Sequence, residues 1–276
     1  MRIDLHTHSN RSDGTDSPSE LVANAVAAGL DVIAITDHDS TAGWDEATEE
    51  TAGTSLRLVH GIEISTLLDY RSIHLLGYEF DPTNVPLLAE LDRILGGRDG
   101  RLPLILKALQ SHGVAITEAD VLRWSDNAAA TGRPHVADAL VELGVVKDRT
   151  EAFDVWLKPG RPAYIDRYAA DLFDAIALLK AAGGVAVIAH PWSRGSDQVM
   201  TEEVFAKLKD AGLSGMEVDH NDHPPAAREA LRGIARNLDL VVTGSSDYHG
   251  TGKIDFDLGC NTTDPDAFAR LLPSFG

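Results

Sequence analysis

Cysteine is nearly absent from this 276-residue chain: Cys260 is the one thiol, so no internal disulfide can form and no thiolate zinc site can be built. A reducing compartment is expected on that ground, and cytoplasm is the simplest reading. Long apolar runs are missing too. No stretch of about 18 uninterrupted apolar residues occurs. The opening Met1-Arg2-Ile3-Asp4-Leu5-His6 puts charge and histidine where an export signal needs an apolar segment. Neither export nor a membrane-spanning helix is expected. Positive charge is scarce, with 24 Lys and Arg against 43 Asp and Glu, a formal net charge of −19. Such a surface repels polyanions and excludes strong non-specific binding to long duplex DNA. A phosphorylated substrate must then be attracted locally, and divalent ions gathered in one cleft would supply that field. Internal repeats and low-complexity tracts are absent, and no signature of an oligomeric state is readable.

Short apolar runs bounded by polar residues or glycine mark seven strand candidates, at 3–5, 32–36, 56–60, 73–78, 185–189, 216–218 and 240–243. Helical patterns separate most of them. The clearest begins at Ser17-Pro18-Ser19-Glu20, with Ser17 as N-cap, Pro18 as first helical residue and Glu20 as capping-box partner, and stops at Gly29. Others span 172–182, 202–211 and 226–237. Strand–helix alternation points to a parallel sheet, open or barrel-like. Between residues 81 and 162 the alternation lapses into helical text, with Gly96-Gly97 and 127–132 as flexible joints. This reads as a helical insertion able to cover the barrel mouth, and it divides the chain into a barrel at 1–80 and 163–276 and an insertion at 81–162.

Chemistry-bearing residues gather at the strand ends. Side chains alternate along an extended segment, so His6 and His8 project to one side and can grip one metal ion. The second strand runs into Asp37-His38-Asp39, the third leads to Glu63, the fourth carries His74, the fifth ends at His190, and the seventh delivers Asp247 and His249. In α/β barrels one rim collects the strand ends, so these nitrogens and carboxylate oxygens would meet. Imidazoles with carboxylates and no thiolate suit Mn²⁺, Fe²⁺ or Zn²⁺ better than Ca²⁺. Asp4, Asp37 and Asp39 read either as partners that orient an imidazole or as solvated carboxylates.

Asp4-Leu5-His6-Thr7-His8, Ser12-Asp13-Gly14, Thr36-Asp37-His38-Asp39, Gly61-Ile62-Glu63, His74, Ala189-His190-Pro191 and Ser246-Asp247-Tyr248-His249-Gly250 resemble the polymerase and histidinol phosphatase (PHP) family over nearly the whole chain. The resemblance implies a distorted seven-stranded (β/α) barrel with two or three divalent ions, Mn²⁺ first, Fe²⁺ or Zn²⁺ next. It places His6, His8, Glu63 and Asp247 on the first ion, Glu63, His74 and His190 on the second, and Asp13, His38 and His249 on the third. Some members carry His where this chain has Asp13, and many carry Gly where it has Ser245. The insertion and its Thr131-Gly132-Arg133-Pro134-His135 resemble the subgroup that removes phosphate from nucleoside 3′,5′-bisphosphates or trims short RNA from the 5′ end.

The expected reaction is hydrolysis of a small phosphate ester by a hydroxide shared between ions and held by Glu63, Asp247 and His190. Arg133, His135 and His223 are the expected substrate contacts, Arg133 for its two-pronged fit to phosphate. A water on a metal ion, His223 and His135 are the candidate proton donors to the leaving group. Three rivals stand beside this reading: hydrolysis of C–N bonds, a phosphatase for another small metabolite such as histidinol phosphate, and a non-catalytic regulatory or polymerase-associated module. The chain has no strand-end Lys suited to bridging metals, which weighs against the first.

Overall fold

The computed structural model describes residues 1–275. Its strands are β1 (Ile3–Thr7), β2 (Val32–Ile35), β3 (Arg57–Leu68), β4 (Arg71–Tyr78), β5 (Ala170–Asp171), β6 (Val185–Ala189), β7 (Leu213–Asp219) and β8 (Val241–Gly244). Seven run in the order β1-β2-β3-β4-β6-β7-β8, and β5 pairs with β3. A parallel bridge between Thr7 and Tyr248 draws the two ends of that path together, so the sheet curls into a distorted α/β barrel. The helices are α1 (Pro18–Ala27), α2 (Trp44–Thr51), α3 (Val85–Asp99), α4 (Leu102–Ser111), α5 (Glu118–Leu122), α6 (Arg133–Glu142), α7 (Arg149–Ala152), α8 (Leu172–Ala181), α9 (Glu202–Ala211), α10 (Pro225–Leu238) and α11 (Pro265–Leu271). The α1 start carries the expected capping box: Ser17 Oγ accepts from the Glu20 amide at 3.2 Å, and Glu20 accepts from the Ser17 amide at 2.8 Å.

The sheet is not parallel throughout. β4 runs antiparallel to both β3 and β6, while the other neighbours on the path are parallel. The cause is a two-residue turn, Asp69-Tyr70, with φ of 47° and 62°, the double positive φ that a type I′ hairpin requires. Asp-Tyr lacks the Asn-Gly signature of such turns, so the sequence did not announce it. β3 also extends to twelve residues, which puts Glu63 in mid-strand rather than at an end. Reversal of β4 has a consequence for the site: His74 lies opposite Ser65 on one side and Ala189 on the other, next to His190.

Period-two alternation splits the apolar residues between the faces of the sheet. Ile33 and Ile35 join the large core with α1, α2, α3, α8, α9 and α10, while Val32 and Ala34 join a second cluster closed by Phe268 and Leu271 of α11. A third cluster, from Leu102 to Ala163, is confined to α4–α7 and the chain after it. α3 belongs with the barrel, because Leu87, Leu91 and Ile94 sit in the large core. Gly96 and Gly97, expected as a joint, lie inside α3, where a Cβ on Gly97 would stand 3.2 Å from Tyr168 Cβ. No helix among the described residues is long and apolar enough to cross a membrane.

Candidate metal centre

All nine residues expected as ligands fall within one cluster at the rim. His6, His8 and Glu63 form one group of mutually close donor atoms, His6, His190 and Asp247 a second, His38, Glu63 and His74 a third, and His8, Asp13, His38 and His249 a fourth. Glu63 is the hub. Its Oε2 lies 3.3 Å from His6 Nε2, 3.2 Å from His8 Nε2 and 3.1 Å from His38 Nδ1, while Oε1 lies 2.7 Å from His74 Nδ1 and 3.3 Å from His190 Nε2. Asp247 Oδ1 approaches His6 Nε2 at 3.5 Å and His8 Nε2 at 3.4 Å. Asp13 meets His249 Nε2 at 3.3 Å and His38 Nε2 at 3.7 Å.

This donor set fits divalent ions. His6 Nε2 and His8 Nε2 face each other at 3.1 Å, and His38 Nδ1, buried, has no hydrogen-bond partner although a carboxylate oxygen is 3.1 Å away. Nitrogens and carboxylate oxygens converging this closely in a dry site are the arrangement a divalent cation would satisfy. Burial holds His38 down to about 3 and His190 down to about 4, so both present neutral nitrogens. Burial opposes the charged form of His8 as well, but Asp247, Glu63 and Asp13 outweigh it and lift the group to about 9. Carboxylate charge thus dominates around His8, the balance that suits divalent cations.

Three of the ligand imidazoles, His6, His190 and His249, are steered from behind. Glu217, fully buried in β7, takes His6 Nδ1 at 3.1 Å on one oxygen and the His190 amide at 2.9 Å on the other. His6 therefore carries its proton on Nδ1 and turns Nε2 toward the cluster. Ser193 Oγ meets His190 Nδ1 at 2.9 Å, and the Asp247 carbonyl meets His249 Nδ1 at 2.8 Å. His220 Nδ1 accepts from the Asp222 amide at 3.1 Å, which leaves Nε2–H to donate to Asp247 Oδ2 at 3.1 Å. Three site residues, Asp39, His190 and Asp247, have φ of 57°, 26° and 54°, held there by these contacts.

The PHP domain model matches residues 4–96. The chain is 34% identical over 257 residues to a 3′,5′-nucleoside bisphosphate phosphatase of Chromobacterium violaceum, covering 93% of this chain and 90% of that protein. It is likewise 34% identical to a 5′-3′ exoribonuclease of Haemophilus influenzae, with 90% of each covered. The chain belongs to the PHP family. Among solved structures, a protein of Bifidobacterium adolescentis assigned to the metal-dependent phosphoesterases superposes with a TM-score of 0.93 at 38% identity, over 98% of this chain and 95% of that one. A Chromobacterium violaceum amidohydrolase with bound sulfate and no metal gives 0.89 at 32% identity, over 98% and 97%. This chain is thus a metal-dependent phosphoesterase of the PHP type.

Beside the PHP centre stands a second construction, of which the sequence had singled out Arg133 but not its arginine neighbours. Arg167 and Arg194 act on His74, and Arg98, Arg133 and Arg167 are close enough to one another and to Arg101 to oppose each other's charge. Burial and then the surrounding guanidinium groups push Arg101 down to about 8, and burial holds Arg133 and Arg167 at about 10. Arginine keeps its proton in proteins, so the physical content is a dense positive field that an anion would relieve. Arg98 spends its charge on Asp39, at 2.7 Å and 2.9 Å. Arg101 Nε is buried without a partner. Arg133 donates to the Leu157 carbonyl at 2.9 Å and lies over the Tyr164 ring.

The other expected substrate contacts have structural partners. His135 Nδ1 accepts from the Gly132 amide at 2.9 Å, capping α6. His223 Nδ1 accepts no substrate proton: it faces the Val218 carbonyl at 2.9 Å, and Nε2 takes the Trp192 amide at 3.2 Å. Asp4, Asp37 and Asp39 are neither solvated nor bound to imidazoles. All three are at most 1% exposed: Asp37 takes the Ser9 amide at 2.8 Å and Ser12 Oγ at 2.6 Å, Asp4 takes the Ser246 amide at 3.0 Å, and Asp39 takes Ser65 of β3 and Arg98 of α3. Glu217, His220, Arg101 and Lys253 were missed. Lys253 reaches back from the loop after β8 to contact Asp247 and sits 3.8 Å from the Phe256 ring centroid. A larger cleft of about 370 Å³, lined by Glu90, Arg93, Tyr168 and Asp174, lies away from this chemistry.

Proposed function

We propose that the chain hydrolyses phosphate esters of small nucleotides, nucleoside 3′,5′-bisphosphates or the 5′ ends of short RNA, in the cytoplasm. The observation that carries this reading is the arginine cluster beside the nine-donor rim. A substrate with one phosphate on the rim has a second phosphate to place, and Arg101, Arg133 and Arg167 offer it a buried cationic seat. The names of the two relatives, a bisphosphate phosphatase and a 5′-3′ exoribonuclease, support substrates with that pair of anions.

Two to three divalent ions, Mn²⁺ before Fe²⁺ or Zn²⁺, would be held by the nine donors and supply an activated water together with positive charge for the reacting phosphoryl group. The chain's own residues do the rest. Glu217, Ser193 and the Asp247 carbonyl fix which imidazole nitrogens face inward. Arg101 and Arg133 bind and orient the non-reacting phosphate, which is worth more in a buried site than in water. The helical unit, residues 81–162 with α3 as its anchor on the barrel, shields the site from bulk solvent. His223 has both nitrogens engaged and His135 accepts at Nδ1 from the Gly132 amide, so a water held in the site or His135 Nε2–H supplies the leaving group's proton.

The test supplies metal-depleted protein with Mn²⁺ and offers nucleoside 3′,5′-bisphosphates, short 5′-phosphorylated RNA, nucleoside monophosphates and histidinol phosphate. Release from the bisphosphate or the RNA is expected, with Arg133→Met raising KM for these more than for the monophosphates. No release from any of them overturns the reading. The neighbour named an amidohydrolase keeps C–N hydrolysis as a second reading; turnover of cyclic amides without turnover of phosphate esters would favour it.

A further inference from the structure

The loop that carries Asp13 is gripped from the helical unit at two points. Ala129 donates its amide to the Arg11 carbonyl at 2.9 Å, and Arg149 Nη1 donates to the Asp13 carbonyl at 3.0 Å. Arg149 is the stronger of these anchors. Its Nε and Nη2 form a two-pronged pair with Asp138 at 2.6 Å and 2.7 Å, and both side chains are about seven-eighths buried (15% and 12% exposed). The same guanidinium fills the space in front of Gly252, where a Cβ would come within 2.6 Å of Arg149 Cζ. Gly252 follows His249 in the loop after β8, and its amide bonds to the His249 carbonyl at 3.3 Å.

One side chain from the helical unit thus touches both loops whose donors, Asp13 and His249, sit 3.3 Å apart. The barrel holds the residues on either side of Asp13, through Asp37 to Ser9 and Ser12, Glu46 to Arg11, and Thr15 to His249 and Thr251, whereas the Asp13 carbonyl itself is held by Arg149. The clamp residue Asp138 lies in α6, whose first residue is Arg133, so the same rigid helix connects the arginine seat to the Asp13 loop.

We infer that Arg149 is a positioning residue that makes the Asp13–His38–His249 ion site conditional on docking of the helical unit. Ion uptake at that site and seating of an anion by Arg133 are then coupled through α6. Coupling of this kind is reciprocal: whatever helps one ligand helps the other by the same factor. The inference rests on the reading of these donors as metal ligands.

The experiment titrates metal-depleted full-length protein with Mn²⁺ by calorimetry, in wild type and in Arg149→Met, with and without inorganic phosphate. Hydrogen exchange of residues 9–14 and 249–252 is followed alongside. Three ions are expected in wild type, with the weakest tightened by phosphate. In the variant the weakest ion should bind roughly 10–100-fold less tightly, the scale for losing a residue that orients a ligand. The other two ions should be unchanged, the phosphate effect should vanish, and exchange should rise in both loops but not in α1. Asp138→Asn, which keeps the arginine and breaks only the clamp, should shift the same ion in the same direction, and it serves if Arg149→Met does not fold. Three ions of unaltered affinity in a folded variant overturn the inference while leaving the ligand reading intact. Uptake of fewer than three ions by wild type overturns the third site and the inference together.

Discussion

Glu217 shows how much of the centre depends on residues that never meet an ion. One of its oxygens accepts from His6 Nδ1 and the other from the His190 main chain, so a single buried carboxylate sets the tautomer of one ligand and the backbone position of another. His6, on the other side, is what holds Glu217 down to about 2 against the cost of burial. Glu217→Gln keeps the shape and one acceptor but turns an NH₂ toward one of two donors. Weaker Mn²⁺ binding by roughly 10–100-fold is expected, with little loss of fold. Calorimetric titration decides it, and an unchanged affinity would show that His6 needs no support. His6, His8 and His190 were readable from the chain because histidine at a strand end is rare enough to stand out. Glu217 was not, because the strand candidate at 216–218 gave a single carboxylate no partner in sequence; its partner is 211 residues away. Arg101 was hidden for a related reason. An arginine within helical text reads as surface charge, and only tertiary packing buries it.

At the scale of elements, the seven main strands lie where apolar runs bounded by glycine and polar residues placed them, and the helix at Ser17 starts where its cap predicts. The direction of β4 could not be read, since apolar patterning is the same for a strand run either way. The turn Asp69-Tyr70 decides it, and with it the arrival of His74 at the rim. Both turn residues occupy left-handed conformations that cost L-residues roughly 1–2 kcal/mol each. Tyr70 is fully exposed, so no packing is lost when it is changed. Asp69→Asn with Tyr70→Gly installs the preferred pair for this turn. The doubly substituted protein should be more stable by about 1 kcal/mol, after the entropy cost of glycine in the unfolded chain. Urea denaturation reads this out. A lower midpoint would mean that the tip is held by something other than its turn geometry.

For the whole molecule, a net charge of −19 coexists with four buried or half-buried arginines, Arg98, Arg101, Arg133 and Arg167, beside the metal centre. The surface charge opposes polyanions while the arginines beside the centre offer a field to a small one, in keeping with the proposed small phosphorylated substrate. The stored field has a cost in the empty protein. Arg101 has no carboxylate partner, and the groups that shift it are mainly Arg133, Arg167 and Arg98 after burial itself. Arg101→Met removes one of these like charges and keeps an unbranched apolar stem in its place. The anion-free variant should therefore unfold at a higher temperature than wild type. Addition of phosphate or sulfate reverses the order: an anion that binds only the folded state at 100 times its dissociation constant stabilises by about 2.7 kcal/mol, and the variant loses most of that gain. Thermal unfolding with and without phosphate, at fixed Mn²⁺ and ionic strength, separates the two effects. A variant that is less stable without anion, yet equally stabilised by it, would show that Arg101 is held for packing and that the anion seat lies elsewhere.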